Sequence, residues 1–193
     1  MLGHRLGTTL VAIVAIALPL VACGGDDDAG GDTTTTEPPK TTTTAAPTTT
    51  LSPEQQAQAD VRAAYDAYWA MSERLAAAPD PQDPEIAELV TGTAATTLTD
   101  HLTTLTAQRR AVQFGEDYAH AILAVELGGD GTSAVVSDCY VDHSAEVDAQ
   151  TGGVIREATF TNRFDVTLAL ESGTWKVSRI ERLAGWEGVT TCE

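Results

Sequence analysis

Lysine is almost missing from this chain. Lys40 and Lys176 are the only two among 193 residues, so Schiff-base chemistry and lysine phosphate clamps have little raw material. Basic charge as a whole is scarce, with 11 Lys and Arg against 28 Asp and Glu, a formal net charge of -17 and a pI near 4.3. No Lys/Arg cluster exists to displace counterions from a phosphate backbone, which excludes nucleic acid as a partner. An anionic membrane surface would repel the chain as well. The acidity reads as solubility outside the cytoplasm in preference to an acid-specific binding role. Long apolar runs are also missing: the uncharged stretch Leu10 to Ala22 has 13 residues, short of the about 20 a spanning helix needs.

Catalytic and metal signatures are absent too. There is no G-x-S-x-G, H-E-x-x-H, P-loop or G-x-G-x-x-G, and Ser133 falls in a hairpin where a nucleophile elbow would need a strand-to-helix turn. His101, His120 and His143 lie about twenty residues apart, unlike the spacing of metal ligands. His143 beside Asp142 reads as part of a solvated loop. Asp26-Asp27-Asp28 lacks the Gly and Glu positions of a calcium loop and reads as linker. No metal and no cofactor are expected.

What is present begins at the N-terminus. His4 and Arg5 precede the short apolar run, the pattern of a signal h-region. The run ends in Leu20-Val21-Ala22-Cys23, which resembles the lipobox of bacterial lipoproteins. That resemblance implies that residues 1–22 are a signal peptide and that Cys23 becomes a lipidated N-terminus. Its diacylglycerol, at about 0.8 kcal/mol per buried methylene, would hold the chain to the extracytoplasmic face of the cell membrane. The competing reading is an ordinary secretory signal followed by a cysteine. Residues 23–51 then collapse to Thr, Pro, Gly and Ala, with Thr33 to Thr36, Thr41 to Thr44 and Thr48 to Thr50 separated by Pro38, Pro39 and Pro47. Too few apolar side chains are available to offset ordering entropy, so a disordered tether is expected. At about 3.1 Å per residue it reaches at most roughly 85 Å, either as a plain spacer or as an O-glycosylated stalk.

Residues 52–193 carry the grammar of one domain. Ser52, Pro53 and Gln55 spell a capping box with proline at the first helical position. Val61, Ala64, Tyr65, Tyr68, Met71 and Leu75 then recur at helical spacing, with Trp69 at the stripe's border. Pro79 to Pro84 stops this helix and starts a short one, with Asp83 as cap and Pro84 as its first residue. A third helix is expected from about Ala94 to Arg110, carrying Leu98, His101, Leu102, Leu105 and Ala107 on its stripe and Arg109 and Arg110 at its C-terminus. From Ala111 the pattern changes to strands. Tyr118 to Leu127 and Thr132 to Val141 form a hairpin about Gly128-Gly129-Asp130-Gly131, and a polar stretch, Asp142 to Gln150, leads to a turn at Thr151-Gly152-Gly153. Phe160, Asn162, Phe164, Val166, Leu168 and Leu170 share one strand face opposite Thr161, Arg163, Asp165 and Thr167. Glu171-Ser172-Gly173 turns into Thr174 to Leu183, where a bulge near Ser178 is needed to keep Trp175, Val177 and Ile180 inward. Asp165 is expected to pair with an arginine such as Arg179.

If Cys23 carries lipid, Cys139 and Cys192 remain as a pair in an oxidising compartment, where a disulfide is the default. It would tie a central strand to a C-terminal tail that holds Trp186 against the sheet.

The helix order, followed by strands ending in Ser172-Gly173-Thr174-Trp175-Lys176-Val177, resembles the NTF2-like (SnoaL-like) cone fold. Pro84 to Gly92, Val136 to Cys139 and Asp148 to Gly152 resemble actinobacterial lipoproteins that carry such domains. The resemblance implies an α+β domain, its N-terminal helices packed on a curved antiparallel sheet around a pocket. Pocket-lining candidates are Tyr65, Tyr68, His101, His120, Asp138 and Tyr140. Asp138 and Tyr140 share strand parity while Cys139 faces oppositely. No catalytic residue is assigned. The leading reading is a non-enzymatic, membrane-anchored module contacting an envelope protein or cell-wall component. Small-molecule or lipid binding in the cone is the alternative, and an isomerase or dehydratase stands third, because this superfold hosts many activities.

Overall fold

The computed structural model describes residues 51–192. The expected signal peptide, the lipidated Cys23 and the tether up to residue 50 lie outside the described residues. Three helices come first, α1 (Pro53–Ala77), α2 (Glu85–Leu89) and α3 (Gly92–Gln108). Five strands follow, β1 (Arg110–Phe114), β2 (Ala119–Leu127), β3 (Ser133–Asp148), β4 (Val154–Glu171) and β5 (Thr174–Glu187). Among the described residues no helix is long and apolar enough to cross a membrane.

Local chemistry accounts for the helix boundaries. The Gln55 backbone N–H donates to Ser52 Oγ at 3.2 Å, and the Ser52 N–H donates to Gln55 Oε1 at 2.9 Å, completing the expected capping box. Val61, Tyr65, Tyr68, Met71 and Leu75 are the buried stripe of α1. Asp83 accepts the Glu85 N–H at 2.9 Å, so it caps as expected, although α2 begins one residue later than predicted. Both Asp83 and Glu85 are also held by Arg74, at 3.0 and 2.6 Å.

Helix α3 departs from expectation at both ends. It starts at Gly92, whose φ of 56° lies in the left-handed region and whose missing Cβ would sit 2.9 Å from the Ser178 carbonyl oxygen. Only glycine meets both demands without strain. The helix stops at Gln108 because Arg109 turns left-handed, its N–H donating back to the Leu105 and Thr106 carbonyls. Arg110 therefore opens β1 and does not extend the helix. His101 and Ala107 are exposed, since Ala94, Leu102 and Leu105 carry the buried side.

The sheet is antiparallel and organised on β3. Along one side of β3 its first half pairs with β2 and its second half with β1; β4 pairs along the other side, and β5 follows β4. The polar stretch after Val141 is thus not a loop. It is the second half of β3, polar because one of its faces lines a cleft and not the core. His143 stands in this strand, with Nδ1 3.5 Å from Asp117 and Nε2 3.8 Å from Glu157. In β5 the register slips at Ser178, where Thr167 pairs with Arg179 and Leu168 with Val177. The expected bulge is present, although Ile180 stays 38% exposed.

Helices and sheet meet over Leu75, Leu102, Val136, Val166, Leu168 and Val177, an α+β arrangement of helices packed on an antiparallel sheet. On the outer side Cys139 is bonded to Cys192, 53 residues away. The C-terminal tail crosses Thr161, whose Oγ1 donates to the Gly188 carbonyl at 2.9 Å and accepts the Thr190 N–H at 3.0 Å. Trp186 belongs to β5, opposite the Thr161 that the tail crosses. Asp165 does not pair with Arg179 either. It accepts the Ser137 hydroxyl at 2.8 Å, and Arg179 bonds Glu181 at 2.8 Å.

Candidate functional site: an aromatic cleft and the polar cluster behind it

Two periodicities build the site. On α1, Tyr68, Trp69, Ser72, Glu73 and Ala76 recur at three and four and face the cleft, while Tyr65, one turn earlier, is buried deeper. On β3, Asp138, Tyr140, Asp142, Ser144 and Glu146 share one parity, so a single row runs from the interior out to the mouth. Val112 and Phe114 of β1, and Arg156, Ala158 and Phe160 of β4, supply further walls. The cleft volume is about 340 Å³, at the small end of the range for ligand pockets, about 300–1,000 Å³.

Behind the cleft lies a separate polar cluster. Tyr65 and Asp138 are fully buried, and the Tyr65 hydroxyl donates to Asp138 Oδ2 at 2.9 Å. His120 Nδ1 lies 3.7 Å from Asp138 Oδ1, and neither atom has another partner. Asp138 faces the imidazole at ion-pair distance and holds its pKa above the ordinary value against the opposing effect of burial. Burial, and after it the Asp138 charge, push the Tyr65 hydroxyl far up.

Trp69 separates the two regions. Its indole stacks on His120 with centroids 5.1 Å apart and on Tyr140 at 4.8 Å. Tyr65 meets it edge-on at 6.1 Å. Of the residues predicted to line a pocket, Tyr68, His101 and Tyr140 do so, with His101 exposed at the mouth. Tyr65, His120 and Asp138 are brought together with one another but do not border the cleft, because Trp69 fills the space between.

The charges of the cleft are unevenly compensated. Glu146 accepts from Arg110 at 2.8 Å and from Arg156 at 2.5 Å. Burial pushes its carboxyl up, but the two guanidiniums outweigh that and hold it below the usual range. Tyr118 and Tyr140 stand edge to face at 5.5 Å. Both hydroxyls are raised first by burial and then by neighbours, Tyr140 and Glu73 in the case of Tyr118, Asp142 in the case of Tyr140. They stay neutral donors at any ordinary pH.

Glu73, Phe114, Tyr118, Asp142, Glu146, Arg156 and Phe160 were not singled out from the sequence. The alternate acidic row of β3 was the available signal, hidden because that stretch reads as loop. Among the described residues no three His, Cys, Asp or Glu side chains converge as metal ligands.

No family model and no curated protein matches the chain. Among solved structures it is similar to the intermembrane space region of chloroplast protein ARC6, with 20% identity and a TM-score of 0.50 over 65% of this chain and 97% of that one. This likeness is one of fold alone. A ketosteroid isomerase-like protein from Erwinia carotovora atroseptica aligns at 19% identity and a TM-score of 0.41, over 66% of this chain and 96% of that one, too distant to carry weight.

Proposed function

We propose that this chain is an extracytoplasmic, lipid-anchored binding protein whose cleft takes a small molecule of the cell envelope without transforming it. The observation that carries this reading is the position of Trp69. An open aromatic cleft lies on one side of it; on the other stands the Tyr65–Asp138–His120 cluster, which does not border that cleft, with Tyr65 and Asp138 fully buried and the His120 side chain 22% exposed. Acid–base chemistry requires its groups within hydrogen-bond reach of the ligand, and Asp138 and His120 do not border the space a ligand would enter. A cone filled by side chains would have favoured pure surface contact; an open cleft favours pocket binding instead. The Cys139–Cys192 bond supports an oxidising compartment, and the apolar run before Cys23 supports the lipid anchor.

Two experiments test the reading. A thermal-shift screen of small envelope-derived molecules is run on the protein and on Ala158→Trp, which fills the cleft from β4. Hits should stabilise the former and not the latter; equal stabilisation of both would place binding elsewhere. For the anchor, Cys23→Ala should release the protein from membranes, and unchanged retention would contradict lipidation.

A further inference from the structure

Charge inside the cleft narrows the class of ligand. Glu73 reaches it from α1 and Asp142 from β3, and both are half-buried. Arg156, in the cleft wall, and Arg110 are both engaged by Glu146. Among the described residues no cationic side chain lies within ion-pair distance of Glu73 or Asp142. Asp142 accepts the Ser144 hydroxyl at 2.6 Å, and its other neighbour, the Tyr140 hydroxyl, is neutral, as is the Tyr118 hydroxyl beside Glu73. Removing such carboxylates from water without a counter-charge is unfavourable, so a neutral apolar ligand closing this cleft would be opposed and an anion opposed more strongly. The rest of the wall is aromatic, with Tyr68, Tyr118, Tyr140 and Phe114 around the same space. Rings carry negative potential on their faces, which attracts cations, most strongly when water is excluded.

We propose that the cleft binds a small organic cation, an amine or quaternary ammonium, against the rings of Tyr68, Tyr118 and Tyr140 and beside the carboxylates of Glu73 and Asp142. The inference rests on reading the cleft as a binding site and names the chemistry of its ligand. Glu146 with Arg110 and Arg156 carries one surplus positive charge, and the two carboxylates of Glu73 and Asp142 outweigh it, leaving the cleft net negative.

Calorimetric titration of the full protein with choline, and with its neutral isostere 3,3-dimethylbutan-1-ol, tests it. Choline should bind about tenfold tighter than the alcohol, the scale of a desolvated cation–aromatic contact. Its affinity should fall with added salt while that of the alcohol holds. Glu73→Gln and Asp142→Asn should each weaken choline by about threefold to tenfold and leave the alcohol unchanged. If a variant loses its fold by circular dichroism, the salt series on the unmodified protein decides alone. Binding of the alcohol as tight as that of choline overturns the cation inference and leaves the binding reading standing. No binding of choline overturns the inference too, and the Ala158→Trp comparison then judges the binding reading separately.

Discussion

Replacing Tyr65 by Phe isolates the interaction on which the buried cluster depends. The ring remains, so the packing against Tyr68 and Trp69 is kept and no cavity of consequence opens. The hydroxyl that donates to Asp138 Oδ2 at 2.9 Å is lost. Asp138 is fully buried and its other oxygen has no hydrogen-bond partner, so the carboxylate is left with His120 alone, 3.7 Å away. A hydrogen bond to a charged group contributes about 1.5–3 kcal/mol, and a buried charged acceptor left unmet is penalised further. A loss of about 2–3 kcal/mol is expected, which for a domain of this size lowers the thermal midpoint by about 6–9 °C. In an Asp138→Asn background the same bond joins neutral groups and should contribute about 1 kcal/mol. A double-mutant cycle should therefore give a coupling of about 1–2 kcal/mol. Urea unfolding at neutral pH with the disulfide intact, followed by fluorescence and circular dichroism, measures all four corners. A Tyr65→Phe loss below about 0.5 kcal/mol, or equal losses in both backgrounds, would refute the reasoning.

Other consequences are open to measurement. Because the folded pKa of His120 lies above its unfolded value of about 6.5, its contribution is fully present below that value and is lost as pH rises through the folded pKa. The stability gap between the protein and His120→Gln should accordingly shrink as pH is raised through this window, and a gap that widens would contradict the assignment. Reducing the Cys139–Cys192 bond, which closes 53 residues, should lower stability by on the order of 4 kcal/mol; an unchanged unfolding curve after verified reduction would argue against the clamp. Gly92→Ala places a methyl 2.9 Å from the Ser178 carbonyl at a φ of 56° and should cost about 1–3 kcal/mol, whereas a neutral effect would mean that α3 and β5 can part at no cost.

Helix α1 was legible in the sequence because it is written in short-range terms, whereas the ends of α3 were not, its start being set by the close approach of Gly92 to Ser178. Ser52 and Gln55 cap α1, its stripe is buried as read, and the proline cluster ends it. Parity alone placed Cys139 opposite Asp138, and the conflict between Trp175 and Ile180 located the bulge at Ser178. The second half of β3 was not legible although Val141, Ala145 and Val147 alternate with Asp142, Ser144 and Glu146, because His143 interrupts the apolar face and the density of polar residues masks the period. Here one face carries Asp142, Ser144 and Glu146 into a cleft, so the strand imitates a loop. The same blindness hid most of the site. Tyr65, His120 and Asp138 were named as pocket-lining candidates, but which side of Trp69 they occupy depends on stacking among three elements, and no local pattern encodes that.

Crystals soaked with a library of small aromatic and cationic fragments test the central claim most directly, because density reports both where a ligand sits and what Trp69 does. Fragments should lie in the cleft between Tyr68 and Phe160, with Trp69 still stacked on His120 and Tyr140 and the Tyr65–Asp138 contact unbroken. A fragment that displaces Trp69 and reaches Asp138 or His120 would contradict that claim and make the buried cluster an active site.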